Sequence, residues 1–113
     1  MLSKNIFSSY TERSVTFDGI EYFESICIDR SENVSVWNVG NRILLKDFEN
    51  LRLIDNEILI VGTGFKGNDS NDNLIIDSFS ENADYDIMDS VSAIKTYNVL
   101  KSEDRIVSIY LKI

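Results

Sequence analysis

Apolar and polar residues alternate from Val15 to Tyr22: Val15-Thr16-Phe17, then Asp18-Gly19, then Ile20-Glu21-Tyr22. Period-two patterning marks strands, and Asp-Gly readily takes the positive φ values of a type I′ turn, so a β-hairpin is predicted here. "SICID" (25–29) and "VSVWNV" (34–39) read as two further short strands, with the polar "RSEN" turning between them. The pattern then changes. "LLKDFENLRLID" (44–55) carries Leu45, Phe48 and Leu51 at helical spacing, with Asp47 able to cap, which predicts a short helix. "EILIVGT" (57–63) is a continuous apolar run, as expected of a strand buried on both faces. "NDNLIIDSFSENA" (71–83) places Leu74, Ile75 and Phe79 on one helical face, and "DYDIMD" (84–89) is a short strand. "SVSAIKTYNVLKSED" (90–104) is a second helix with Ala93, Thr96, Tyr97 and Leu100 as its apolar stripe. "RIVSIYLKI" (105–113) alternates and closes as a strand.

An antiparallel, strand-rich first half followed by β-α-β-α-β describes one layered α/β domain with a mixed central sheet. Residues 1–13, "MLSKNIFSSYTER", are polar and read as a flexible arm, leaving residues 14–113 as the domain. The 113 residues, 43% of them hydrophobic, suffice for one proper core.

Charge and composition narrow the chemistry. The net charge is −8 and the 11 Lys and Arg residues are scattered, which disfavours nucleic acid and anionic membrane surfaces. The sequence has no His, removing Ser-His and Cys-His nucleophile pairs and His-ligated metals. Cys27 is the single cysteine, set in an apolar-alternating strand, where a buried, inert thiol is expected and no disulfide or thiolate cluster can form. No apolar window approaches a membrane span, so a reducing cytoplasm is the expected compartment. Neither metal nor cofactor is expected, and no residue is assigned a catalytic role.

Gly62-Thr63-Gly64-Phe65-Lys66-Gly67 spells G-x-G-x-x-G directly after a strand, the pattern of a dinucleotide loop, with Asp86 or Asp89 about where a ribose-binding acid would stand. The third glycine of such a loop belongs inside the opening helix. Here "NDSNDN" follows Gly67 and puts the helix start near Ser70 to Asp72. Those acids also oppose a phosphate, and too little chain follows to build the rest of a dinucleotide-binding sheet. The match reads as chance. The first two glycines instead suit a sharp exit from a buried strand, and strand carboxyl ends are where α/β proteins collect ligands.

Gly62-Thr63-Gly64, Met88-Asp89, Thr96-Tyr97-Asn98 and Arg105-Ile106-Val107, in that order, resemble the motif series of the Mth938-like family, formerly a domain of unknown function. The resemblance runs from about residue 14 to residue 113. Ser90 stands where the family commonly has Thr, keeping a hydroxyl, and Asp104 where a small residue, commonly Gly, precedes the Arg. The resemblance implies a single three-layer α/β domain around a mixed sheet. It further implies a protein-handling role more readily than a reaction. Mitochondrial members are associated with assembly of respiratory complex I, and most bacterial and archaeal members have no assigned activity.

The expected function is therefore a non-catalytic protein-interaction module with a protein partner, assembly-factor or chaperone-like. The alternative is a small-molecule or anion site at the Gly62-Thr63-Gly64 loop, flanked by Asp89 and Ser90, whose helix end could present free amides. Asp89 and Ser90 equally suit N-capping. Tyr97 and Asn98 are placed either as a lock hydrogen-bonded to the glycine loop or as ligand contacts.

Overall fold

The computed structural model describes residues 5–65 and 84–113. The predicted hairpin is present: β2 (Val15–Phe17) and β3 (Ile20–Tyr22) pair antiparallel across Asp18 and Gly19. Both turn residues have positive φ, 52° and 78°, as a type I′ turn requires. A strand not expected from the sequence, β1 (Phe7–Tyr10), pairs antiparallel with β2 and completes a three-stranded sheet in the order β1-β2-β3. This corrects the reading of residues 1–13 as a flexible arm at positions 7–10. Phe7 is the physical reason: it is buried, with its ring 5.0 Å from Phe17 and 5.3 Å from Tyr97.

The second sheet has five strands: β4 (Ile26–Ile28), β5 (Val34–Val36), β6 (Ile58–Gly62), β7 (Asp84–Met88) and β8 (Val107–Leu111). Their order is β5-β4-β8-β6-β7. β6 runs parallel to both β7 and β8, whereas β4 is antiparallel to β8 and β5, so the sheet is mixed. The helix α1 (Ser90–Ser102) links β7 to β8. The helix expected over residues 71–83 lies outside the described residues, as does Gly67.

Two apolar clusters sandwich the sheet. On one face, Ile26, Ile28, Ile60, Val107, Ile109 and Leu111 meet α1 through Ala93, Ile94 and Tyr97, and meet the small sheet through Phe7, Val15 and Phe17. On the other, Leu59, Val61 and Tyr110 pack against Trp37, Ile43 and Phe48. Strand residues divide between the faces by parity, as pleating dictates. The result is the three-layer α/β arrangement.

Three elements differ from the sequence reading in detail. Of "LLKDFENLRLID", a single 3-10 turn forms, Leu45–Phe48, with Phe48 buried and Leu45 largely exposed. Asp47 does cap, reaching back so that its Oδ2 accepts the Leu44 amide at 2.7 Å. β8 is buried at all five positions instead of on alternate ones, because the sheet is covered on both sides. Finally, Asp104 takes a φ of 59°, the left-handed conformation glycine adopts most easily. The Asp104 amide donates to the Lys101 carbonyl and the Arg105 amide to the Leu100 carbonyl, a Schellman ending that an aspartate tolerates here.

Candidate functional site

The residues singled out by sequence fall into two groups. Gly62, Thr63, Gly64, Asp89 and Ser90 converge where β6 and β7 end and α1 begins. Gly62 is required by closeness. A Cβ there would lie 2.7 Å from Leu111 Cδ1, 2.9 Å from Ser90 Oγ and 3.1 Å from Ala93 Cβ, so only glycine lets the helix seat on the strand. Gly64 has a φ of +124°, another position where a side chain would be strained.

Hydrogen bonds knit this junction together. Thr63 is buried and its amide donates to the Met88 carbonyl at 2.9 Å. Ser90 Oγ accepts the Gly64 amide at 2.9 Å and donates to the Lys112 carbonyl at 2.6 Å, while the Ser90 amide donates to the Gly64 carbonyl. Asp89 is the N-cap of α1: its Oδ1 accepts the Ser92 amide at 2.8 Å and its Oδ2 the Ser92 hydroxyl at 3.0 Å. The Ser92 amide is the main reason its carboxyl is held below the ordinary 3.8, against a smaller opposing effect of burial. The amides of Thr63, Gly64, Ser90 and Ser92 are therefore all engaged within the protein.

Tyr97 and Asn98 sit two turns further along α1 and serve a different contact. The Tyr97 ring is fully buried, edge-on to Phe7 and Phe17. Burial, reinforced by the charges of Glu32 and Asp29, pushes its phenol well above the ordinary 10.0. Asn98 accepts the Phe7 amide at 2.9 Å and donates to the Phe7 carbonyl at 2.8 Å. The amide thus pairs with strand β1, not with the glycine loop. It is a lock, but on a partner ninety-one positions away in sequence.

The opposite face of the sheet carries a concavity that sequence reasoning missed. A cavity of about 650 Å³ opens between the β4–β5–β8 surface and the segment following the 3-10 turn. Its floor holds Cys27, Ser35, Ser108 and Tyr110, and Arg30 and Glu57 are in its wall. Glu57 is only 2% exposed and accepts both Arg30 Nη1 at 3.0 Å and the Ile54 amide at 3.0 Å. Cys27 Sγ lies 3.0 Å from Ser35 Oγ. Burial, aided by Cys27, Asp29 and Glu57, pushes the Tyr110 hydroxyl up to about 12, so it remains a neutral hydrogen-bonding group at ordinary pH. One signal was available in the sequence: Glu57 is an acid set flush against an apolar run, and Ser108 a polar residue inside the closing strand.

The fold defines an α/β domain with a mixed five-stranded sheet, one described helix and a smaller antiparallel sheet. The chain belongs to the family described as "Protein of unknown function (DUF498/DUF598)", whose model matches residues 7–111. Solved structures similar to it include a Bordetella parapertussis protein, 24% identical with a TM-score of 0.70, covering 96% of this chain and 94% of that one. A Xanthomonas campestris protein is 20% identical with a TM-score of 0.74, over 98% of this chain and 86% of that one. A Bordetella pertussis protein described as a Mth938-like domain is 22% identical with a TM-score of 0.63, over 96% and 85%. Among curated proteins none matches the chain. The Mth938-like resemblance and the α/β fold read from the sequence are thereby borne out. No helix among the described residues is long and apolar enough to cross a membrane.

Proposed function

We propose that this domain is a non-catalytic interaction module that binds another protein. The observation that carries this reading is apolar exposure on the outer strands. β3 is outermost in its sheet and β5 in the other, among the described strands. Ile20 on β3 is 55% exposed, Val36 on β5 54%, and Phe23, in the connection leading from β3 to β4, 68%. Outer strands with free backbone groups and exposed apolar side chains suit a protein partner that adds a strand or lays an apolar segment against them. The role implied by the family resemblance, assembly-factor or chaperone-like work related to respiratory complex I, is the particular form this reading favours. A ligand at Gly62-Thr63-Gly64 is the weaker reading, since it would have to displace hydrogen bonds already made there.

The test is affinity capture after mild crosslinking, comparing wild type with Phe23→Ser and Ile20→Ser. A stoichiometric protein retained by wild type and lost by both variants, with melting curves unchanged, supports the reading. Recovery of no stoichiometric partner, together with turnover of a metabolite, overturns it.

A further inference from the structure

Sheet edges invite pairing unless charge, proline or a covering group blocks them, and among the described strands β5 is the edge that has none of these. β7, at the other end of the five-stranded order, carries the exposed charges of Asp84 and Asp86. In the small sheet, β3 carries exposed Glu21, and on β1 both main-chain groups of Phe7 are bonded to Asn98. β5 is Val34-Ser35-Val36, with Ser35 and Val36 exposed.

Its register fixes what a neighbouring strand would meet. The Trp37 amide donates to the Ser25 carbonyl and the Asp29 amide to the Asn33 carbonyl, so the odd-numbered positions of β5 face β4. By alternation, the amides and carbonyls of Val34 and Val36 point outward. Val34 packs on the α1 side of the sheet, so Val36, 54% exposed, lies over the same face. Ser35 lies on the other face, opposite Cys27 and in the cavity lining.

A two-fold axis through Ser35, normal to the sheet, turns this edge onto itself with its outward groups matched. Val34 of each copy exchanges both main-chain hydrogen bonds with Val36 of the other, and the paired β-branched side chains cover Val36. Ser35 meets its own counterpart at a non-hydrogen-bonded position. Such an isologous contact needs a self-complementary surface. The charges bordering β5 on the cavity side are of both signs, Arg30, Lys46 and Arg52 among Asp29, Asp47, Glu49 and Glu57. A strand of one sign would meet like charges on part of that wall, whereas a second copy brings both. The −8 of the whole chain is screened beyond about 8 Å at physiological salt.

We propose that β5 pairs antiparallel with β5 of a second copy of this chain, about a two-fold axis at Ser35. The strand is short, so the dimer is weak and reversible. It does not rest on the capture of another protein; with β5 so occupied, β3 and Phe23 remain for that partner.

Sedimentation equilibrium from about 10 μM to about 1 mM should show wild type passing from monomer to dimer. Val36→Lys, which sets a charge on the edge, should stay monomeric throughout. Disulfide trapping with oxidised glutathione reads the register. It is done in a Cys27→Ser background, because the Cys27 thiol lies 3.0 Å from the Ser35 hydroxyl and would capture a new thiol within one chain. Cα atoms of a non-hydrogen-bonded pair lie about 4.5 Å apart, within reach of a disulfide. Val36 and its counterpart lie on a diagonal about 7–8 Å apart. Ser35→Cys should therefore be trapped as a dimer at least about tenfold faster than Val36→Cys. Both positions are exposed, and circular dichroism checks that each variant folds. Should Val36→Lys fail to fold, the two trapping rates decide. Wild type that is monomeric at every concentration overturns the proposal. So does a Val36→Lys protein that dimerises like wild type, or equal trapping of Ser35→Cys and Val36→Cys. Ile20 and Phe23 are intact in all these variants, so none of these failures bears on partner capture.

Discussion

Removing the Asn98 side chain tests how β1 is held. The carboxamide makes two bonds to the Phe7 main chain, at 2.9 and 2.8 Å, and joins the helix to β1, one of the two edge strands of the small sheet. Each bond contributes a net ~0.5–1.5 kcal/mol. The contact is only partly buried, so water can reach some of what is stranded. Asn98→Ala should therefore cost about 1–3 kcal/mol, a sizeable part of the ~5–15 kcal/mol that stabilises a domain. Asn98→Asp is the sharper probe. It keeps an acceptor for the Phe7 amide but sets a carboxylate oxygen against the Phe7 carbonyl. At neutral pH it should be at least as destabilising as alanine, recovering in acid once the carboxyl can donate. Urea denaturation measures both, and hydrogen exchange at the Phe7 amide localises the loss. An alanine variant as stable as wild type, or an aspartate variant indifferent to pH, would refute the pairing.

Tyr97→Ala should cost about 3–5 kcal/mol, as truncation of a buried aromatic does, whereas Tyr97→Phe should be neutral or stabilising in urea denaturation. The difference arises because the Tyr97 hydroxyl is buried with no partner among the described residues. With its folded pKa above the unfolded 10.0, Tyr97 contributes stability that is present below pH ~10 and lost as pH rises further. Alkaline melts of Tyr97→Phe should lose less than those of wild type. Asp89→Ala should cost about 1 kcal/mol at neutral pH through loss of the cap. Asp89 has its folded pKa below 3.8, so its contribution is present above that value and lost as pH falls through the lower one. Thermal melts of Asp89→Ala and wild type should accordingly converge in strong acid.

Legibility in the sequence followed the range of the interactions. The β2–β3 hairpin, α1 with its Asp89 cap and the apolar core of β6 were legible because each is specified within a few residues. Tyr97 was legible as core from its helical stripe. β1 was not, since its apolar anchor, Phe7, stands in a polar stretch and gains its meaning from Phe17, Tyr97 and Asn98. The expected helix after residue 44 shrank to one turn, since only Phe48 of its apolar set is buried against Trp37 and Tyr110. At the glycine loop the sequence could point to a junction but could not tell whether its amides were free; Ser90 and Met88 take them up. The cavity was illegible for another reason. Its floor and wall come from β4, β5, β8 and the segment before β6, and no local pattern records such an assembly.

The position of β8 sets the order in which this protein can be made. Residues 107–111 lie in the middle of the sheet, hydrogen-bonded to β4 on one side and β6 on the other. On the ribosome, β4 and β6 emerge first and find no neighbour between them. Each leaves the exit tunnel with an unsatisfied edge, and neither sheet face can be sealed until the strand that separates them is released. Closure of the five-stranded sheet thus waits for β8: nascent chains from which residues 107–111 have not yet emerged should remain open to protease and chaperone, while emergence of that strand lets the sheet close.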